Sequence, residues 1–192
     1  MNAGLFERQF LVPGEAIRQN VGVLIFEFSQ FFPNDYEHGR DFVADLDKFL
    51  GALPKGWPYA IEMRNKTWLK SEYFDCLSRH GVTHVFNSWN AMPPVDEQMA
   101  LPGSGTNPDL IAARFLLKPG RSYEEAVKIF QPYDRAKEAN PMARNMRSHR
   151  TFAVYLLGLN ISVVFQARYF VNKGLSNYLV QNVTCGFQIS LI

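Results

Sequence analysis

The runs Val21-Gly-Val-Leu-Ile-Phe-Glu-Phe28 and Tyr59-Ala-Ile-Glu-Met-Arg64 decide the fold. The first is a continuous apolar run with Glu27 near its end, the pattern of parallel strands covered on both faces, and the second reads as another strand. Between them Pro33, Asn34 and Asp35 mark a loop. Phe42, Val43, Leu46, Phe49 and Leu50 then recur at helical spacing until Gly51 and Pro54 end the helix. Outward along the chain the alternation repeats. Tyr73, Phe74 and Leu77 form a helical stripe closed by Gly81, and Val82 to Phe86 reads as a third strand. Asn87 to Pro108 reads as a long loop rich in Pro, Gly and polar residues, and Leu110 to Leu117 is a fourth strand. Ser122 with Glu125 makes a capping box that opens a helix through Phe130, and Asn140 with Pro141 signals another helix start.

Regular strand–helix alternation predicts an α/β fold with a parallel sheet. Periodicity by itself leaves an open sheet and a closed barrel equally allowed. No glycine-rich loop joins a strand to a helix, which removes the simplest nucleotide-binding version; Gly103-Ser-Gly105 is a turn signal inside the long loop.

The composition sets outer limits. Apolar residues form 47% of the 192, including sixteen Phe, enough for a buried core in one ordinary domain. A net charge of +2 gives weak support for nucleic acid and none for an anionic membrane. Cys76 and Cys185 stand far apart, which fits a reduced intracellular protein, and no signal peptide or spanning segment is evident. The expectation is a cytoplasmic protein with no membrane association. After Glu138 there is no Asp or Glu. Residues 149–192 therefore read as an atypical tail, foreign to the fold of residues 1–148 through a shifted reading frame. Its best strand signals are Phe152 to Leu157 and Ser162 to Tyr169.

Four segments carry a resemblance: Val23-Leu-Ile-Phe-Glu-Phe-Ser29, Ile61-Glu-Met-Arg-Asn-Lys-Thr-Trp68, His84-Val-Phe-Asn-Ser-Trp89 and Ala113-Arg-Phe-Leu116. In order and spacing they resemble the YecE-like family (domain of unknown function seventy-two), with Glu-x-Arg-x-x-x-Trp the most specific element. The resemblance spans roughly Met1 to Ser148. It implies a partial TIM-like β/α barrel whose biochemical role in the family is unsettled. The Gly-Thr-Ser-Gly-Trp-like first strand of that family has no counterpart here, and of its late Phe-Asn-Asn strand only Phe170-Val-Asn172 is an echo. A full barrel needs eight strands and about 250 residues. The expectation is therefore a chain truncated at both ends and inactive by itself.

Side chains alternate across a strand, so Glu62 and Arg64 share one face with Ala60, and Tyr59, Ile61 and Met63 take the other. In a barrel the first face is the interior, and both charges lie near the C-terminal mouth, where barrel enzymes carry their sites. Arg114, Asn87, Trp89 and Glu27 occupy comparable positions on or after neighbouring strands. In the functional reading Arg64 and Arg114 hold an anionic group such as a phosphate ester or a piece of nucleic acid. Glu62 or Glu27 is general acid or base, Asn87 orients the ligand, and Trp89 or Trp68 offers a stacking surface. The structural reading makes Glu62 and Arg64 a buried ion pair, Arg114 a structural salt bridge, Glu27 a helix-capping or surface carboxylate, Asn87 a turn residue and both Trp side chains packing. An enzyme and a non-enzymatic binding barrel both remain open. His38, His80, His84 and His149 do not cluster, so no metal centre and no cofactor are expected, and no serine sits at a nucleophile elbow.

Overall fold

Six parallel strands in the order β5-β4-β3-β2-β1-β6 form one open sheet. They are β1 (Leu24–Phe28), β2 (Tyr59–Met63), β3 (Thr83–Asn87), β4 (Ile111–Phe115), β5 (Phe152–Leu156) and β6 (Val163–Ala167). This computed structural model describes residues 1–89, 91–115, 121–132, 152–156 and 163–167. The helix start expected at Asn140 lies outside the described residues. The fold class is α/β with parallel strands alternating with helices, as the sequence predicts.

Before β1, a helical segment runs through α1 (Ala3–Phe6), a π turn (Glu7–Leu11), α2 (Val12–Gly14) and a 3₁₀ turn (Glu15–Asn20). The sequence reading assigned nothing to this stretch. Its anchors are Phe6 and Leu11, buried among the core side chains. Between β1 and β2 lies α3 (Gly39–Ala52), whose first turn is fixed by the Asp41 carboxylate accepting the His38 N–H at 3.2 Å. Its buried stripe is Phe42, Leu46, Phe49 and Leu50. Between β2 and β3 lies α4 (Ser71–His80), which ends at Gly81 with φ +66°, the left-handed conformation that glycine adopts without strain. Between β3 and β4 the structure departs from the expected loop, because Val95–Met99 forms a short helix, α5. At five residues and with one apolar residue at each end, α5 shows too little periodicity to read. After β4, α6 (Tyr123–Phe130) starts with the expected capping box: Glu125 N–H donates to Ser122 Oγ at 3.2 Å, and Ser122 N–H to Glu125 Oε2 at 3.0 Å.

The two faces of the sheet differ in kind. Outward residues of β1 and β2 (Leu24, Phe26, Phe28, Ile61 and Met63 among them) join the helix stripes in one large apolar cluster. The opposite face holds a small cluster of Val23, Ile25, Ala60, Val85 and Ala112. This cluster, on the concave side, holds no aromatic ring, whereas the other face carries Phe26 and Phe28 of β1. Higher on the concave side, towards the C-terminal ends of the strands, the residues become polar.

Candidate functional site

The parallel register of β1 and β2 places Glu27 directly opposite Glu62. Two like charges in that position repel, so the pairing needs compensation. Arg64, two residues beyond Glu62, supplies part of it: Nη2 meets Glu27 Oε1 at 2.6 Å and Nε meets Glu62 Oε1 at 3.2 Å. Arg114 on β4 supplies the rest, with Nη1 2.7 Å from Glu27 Oε2 and hydrogen-bonded to Glu62 Oε2. Each carboxylate thus bridges both guanidinium groups.

The reach of Arg114 reports the shape of the sheet. β4 and β1 are separated by two intervening strands, three spacings of about 4.8 Å. On a flat sheet their side chains would stand roughly parallel and about 14 Å apart. They meet because Arg114 leans across β3 and β2, and a sheet that curves towards this face shortens the reach.

Burial and neighbouring charge act on Glu62 and Arg114. Glu62 is fully enclosed (0% exposed) and Glu27 nearly so, whereas Arg114 keeps 13% of its side chain accessible. Loss of solvent, helped by the Glu27 charge, raises the proton affinity of Glu62 above that of an ordinary carboxyl, although Arg114 and Arg64 oppose the change. For Arg114, burial works against the charged form, but Glu62 and Glu27 outweigh it and raise its pKa. Both hydrogen bonds from Arg114 to the carboxylates leave from one nitrogen, Nη1. Its Nε and Nη2 make no hydrogen bond among the described residues, and neither is a sealed, unsatisfied atom.

Trp89 lies over the cluster, its ring centroid 4.1 Å from Arg64 Cζ, a cation–π distance. Its other contacts include Ala126 of α6. Trp68 lies elsewhere. It stacks on Phe31 (5.5 Å) and Phe42 (5.4 Å) and meets Tyr36 edge-on, in an aromatic group between the loops that follow β1 and β2. The Glu-x-Arg-x-x-x-Trp run therefore splits, with its two charges on the concave face and its Trp joining two loops.

Asn87 is buried at the end of β3 and fully engaged. Its Nδ2 donates to Met63 O (3.0 Å), tying β3 to β2, and its Oδ1 accepts from Trp89 N (3.3 Å), which sets the start of the Trp89 turn. Asn87 thus holds the chain that carries Trp89, and it stands beside Arg114 in the β3–β4 register.

Sequence reasoning missed two supporting residues. Gln98 on α5 is completely buried; Nε2 donates to Asn87 O (2.7 Å) and Pro93 O (2.6 Å), and Oε1 accepts from Asn87 N (3.3 Å). Asn65 donates from Nδ2 to Phe31 O (2.9 Å) and accepts from Phe31 N at Oδ1 (2.8 Å), clasping two loops. A buried Gln in a segment read as loop gave no periodic signal. His84 faces the helices, as expected: Nδ1 lies 3.1 Å from Tyr73 Oη, and burial lowers its pKa to about 3. A second cluster, Asp47, Cys76 and His80, forms between α3 and α4, where residues 29 and 33 positions apart meet.

A parallel β/α sheet with a charged concave face at the C-terminal ends of its strands is a barrel-type architecture. The particular family follows from the comparison with known families. The model described as a protein of unknown function, DUF72, matches residues 6–173, and the chain belongs to that family. The match takes in β5 and β6 and part of the stretch that composition sets apart. A DUF72 family protein from Thermotoga maritima has a similar fold, with TM-score 0.51 and 19% identity over 81% of this chain and 57% of that one. Another from Enterococcus faecalis aligns with TM-score 0.49 and 15% identity over 78% of this chain and 59% of that one. The chain spans less than two thirds of either structure's length. No curated protein matches it. No helix among the described residues is long and apolar enough to cross a membrane.

Proposed function

We propose that the concave mouth binds a small anionic ligand, a phosphate-bearing molecule in the first instance, with Arg114 and Arg64 as its anchors and Glu62 as the proton-carrying group. One observation carries this reading. Arg114 meets both carboxylates through a single nitrogen, Nη1, and Nε and Nη2 of the same planar fork make no hydrogen bond among the described residues. A neutral four-charge cluster does not attract an anion strongly. Glu62 supplies the missing step, because burial already favours its protonated form. A proton taken up there leaves the cluster with net positive charge, so ligand binding and protonation assist each other. Glu62 is fully enclosed, so acid–base chemistry at this carboxyl requires the ion cluster to open to the ligand, and Trp89 covers Arg64 from above.

A binding mouth without chemistry is the second reading, favoured by the closure of the ion network, in which every carboxylate already has two partners. Titration of the purified chain with inorganic phosphate, followed by Trp emission at several pH values, tests the proposal. The expected result is saturable binding that strengthens as pH falls and is lost in both Arg114→Ala and Arg64→Ala. Equal affinity in Arg114→Ala would remove it. If phosphate esters are turned over, loss of turnover in Glu62→Gln with binding retained separates the enzyme from the binding protein.

A further inference from the structure

Cys76 and His80 lie four residues apart on α4, one turn of the helix, so their side chains share a face. That face packs against α3, which presents Asp47 to both. His80 Nε2 lies 2.9 Å from Asp47 Oδ1, and Cys76 Sγ lies 3.7 Å from the same oxygen. The three donor atoms all fall within 4.8 Å of one another.

We propose that Asp47, Cys76 and His80 form a three-ligand site for a zinc-like divalent transition metal, held between α3 and α4 and separate from the mouth. The donor set is that of zinc: one thiolate, one imidazole and one carboxylate, with a fourth position open to water. The spacing agrees. Arms of about 2.3 Å to sulfur and about 2.0–2.1 Å to nitrogen and oxygen, set tetrahedrally, put sulfur and oxygen about 3.5 Å apart and nitrogen and oxygen about 3.3 Å apart. The sulfur–oxygen separation is already close to this. The nitrogen–oxygen separation widens by about 0.4 Å, a small rotation for Asp47, whose side chain is 44% exposed.

The arrangement without metal is crowded. Cys76, His80 and Arg79 all converge on Asp47 Oδ1, the last at 2.9 Å. One carboxylate oxygen has two lone pairs and faces three donors. Metal entry relieves this: the Cys76 S–H bond breaks, its proton leaves to solvent, and sulfur binds the ion as thiolate. His80 binds as the neutral imidazole through Nε2, and Asp47 through Oδ1. Arg79, 61% exposed, swings into solvent. Thiolate and carboxylate together balance the two positive charges of the ion.

Cobalt(II) is the probe, because its bond to thiolate gives a charge-transfer absorption band that its bonds to oxygen and nitrogen do not. Titrated into the full, reduced chain, it is expected to develop that band to one equivalent, with about one thiol proton released per ion. Zinc(II) should abolish the band by displacement. Cys76→Ser removes the band, His80→Gln weakens affinity at least about tenfold, and Cys185→Ser leaves both unchanged. Arg79→Gln discriminates further: it tightens binding if the cluster is a metal site. A missing band, a band that survives in Cys76→Ser or one that depends on Cys185 would overturn the proposal. So would unchanged affinity in His80→Gln, which tests the site without altering the buried cysteine.

Discussion

Glu62 and His84 lie on opposite faces of the sheet and respond to pH with opposite sign. The folded chain holds a proton on Glu62 more tightly than the unfolded chain does. The stabilising contribution is therefore complete below the ordinary carboxyl value near 4.5 and is lost as pH rises through the elevated folded value. His84 is the reverse: with its pKa lowered from 6.5 to about 3, its contribution is complete above about 6.5 and is lost as pH falls towards 3. Urea unfolding across this range should show Glu62→Gln removing the decline on the rising side and His84→Leu removing the decline on the falling side. Each slope approaches about 1.4 kcal/mol per pH unit where one proton is exchanged. A pH profile unaltered in Glu62→Gln would mean that its carboxyl is not perturbed. Gln98→Ala, read by the same unfolding measurement, is expected to cost about 2–3 kcal/mol, because it strands the buried N–H and C=O of Asn87. A loss below about 0.5 kcal/mol would show that water replaces the amide.

At the scale of elements, the loops after β1 and β2 are fastened to each other by Asn65 and by the aromatic group around Trp68. A Cβ on Gly39 would fall 2.8 Å from Trp68 Cδ1. Gly39→Ala is expected to lower stability by about 1–3 kcal/mol through overpacking, with phosphate affinity at the mouth unchanged; calorimetric melting and the phosphate titration check the two halves. What was legible in the sequence follows from period and local chemistry. The β1 and β2 runs, the α3 stripe, Gly81 and the Ser122–Glu125 box each announce themselves within a few residues. Alternation also put Glu62, Arg64 and Arg114 on one face. Other features depend on contacts between distant segments. Asp47 meets His80 across two helices, Gln98 serves Asn87 from a five-residue helix, and Trp68 turns away from the charges because its loop folds over Phe31. No local pattern encodes such meetings, and the helical turns before β1 have mixed geometry with no single period to detect.

Across the whole molecule, stability and polarity are divided between the two sides of the sheet. The convex side carries the large aromatic and aliphatic cluster, whereas the concave side has a cluster of five buried aliphatic residues below its charges. Leu46→Ala on the convex side is expected to cost about 2–5 kcal/mol, and Ile25→Val on the concave side about 0.5–1.5 kcal/mol. Equal losses in denaturant unfolding would contradict this division. The ion pair joining β4 to β1 then acquires a mechanical meaning. It is a bowstring strung across an arc of four strands. Cutting it at Arg114 would let the arc relax, and the ends of the strands would splay apart at the mouth first.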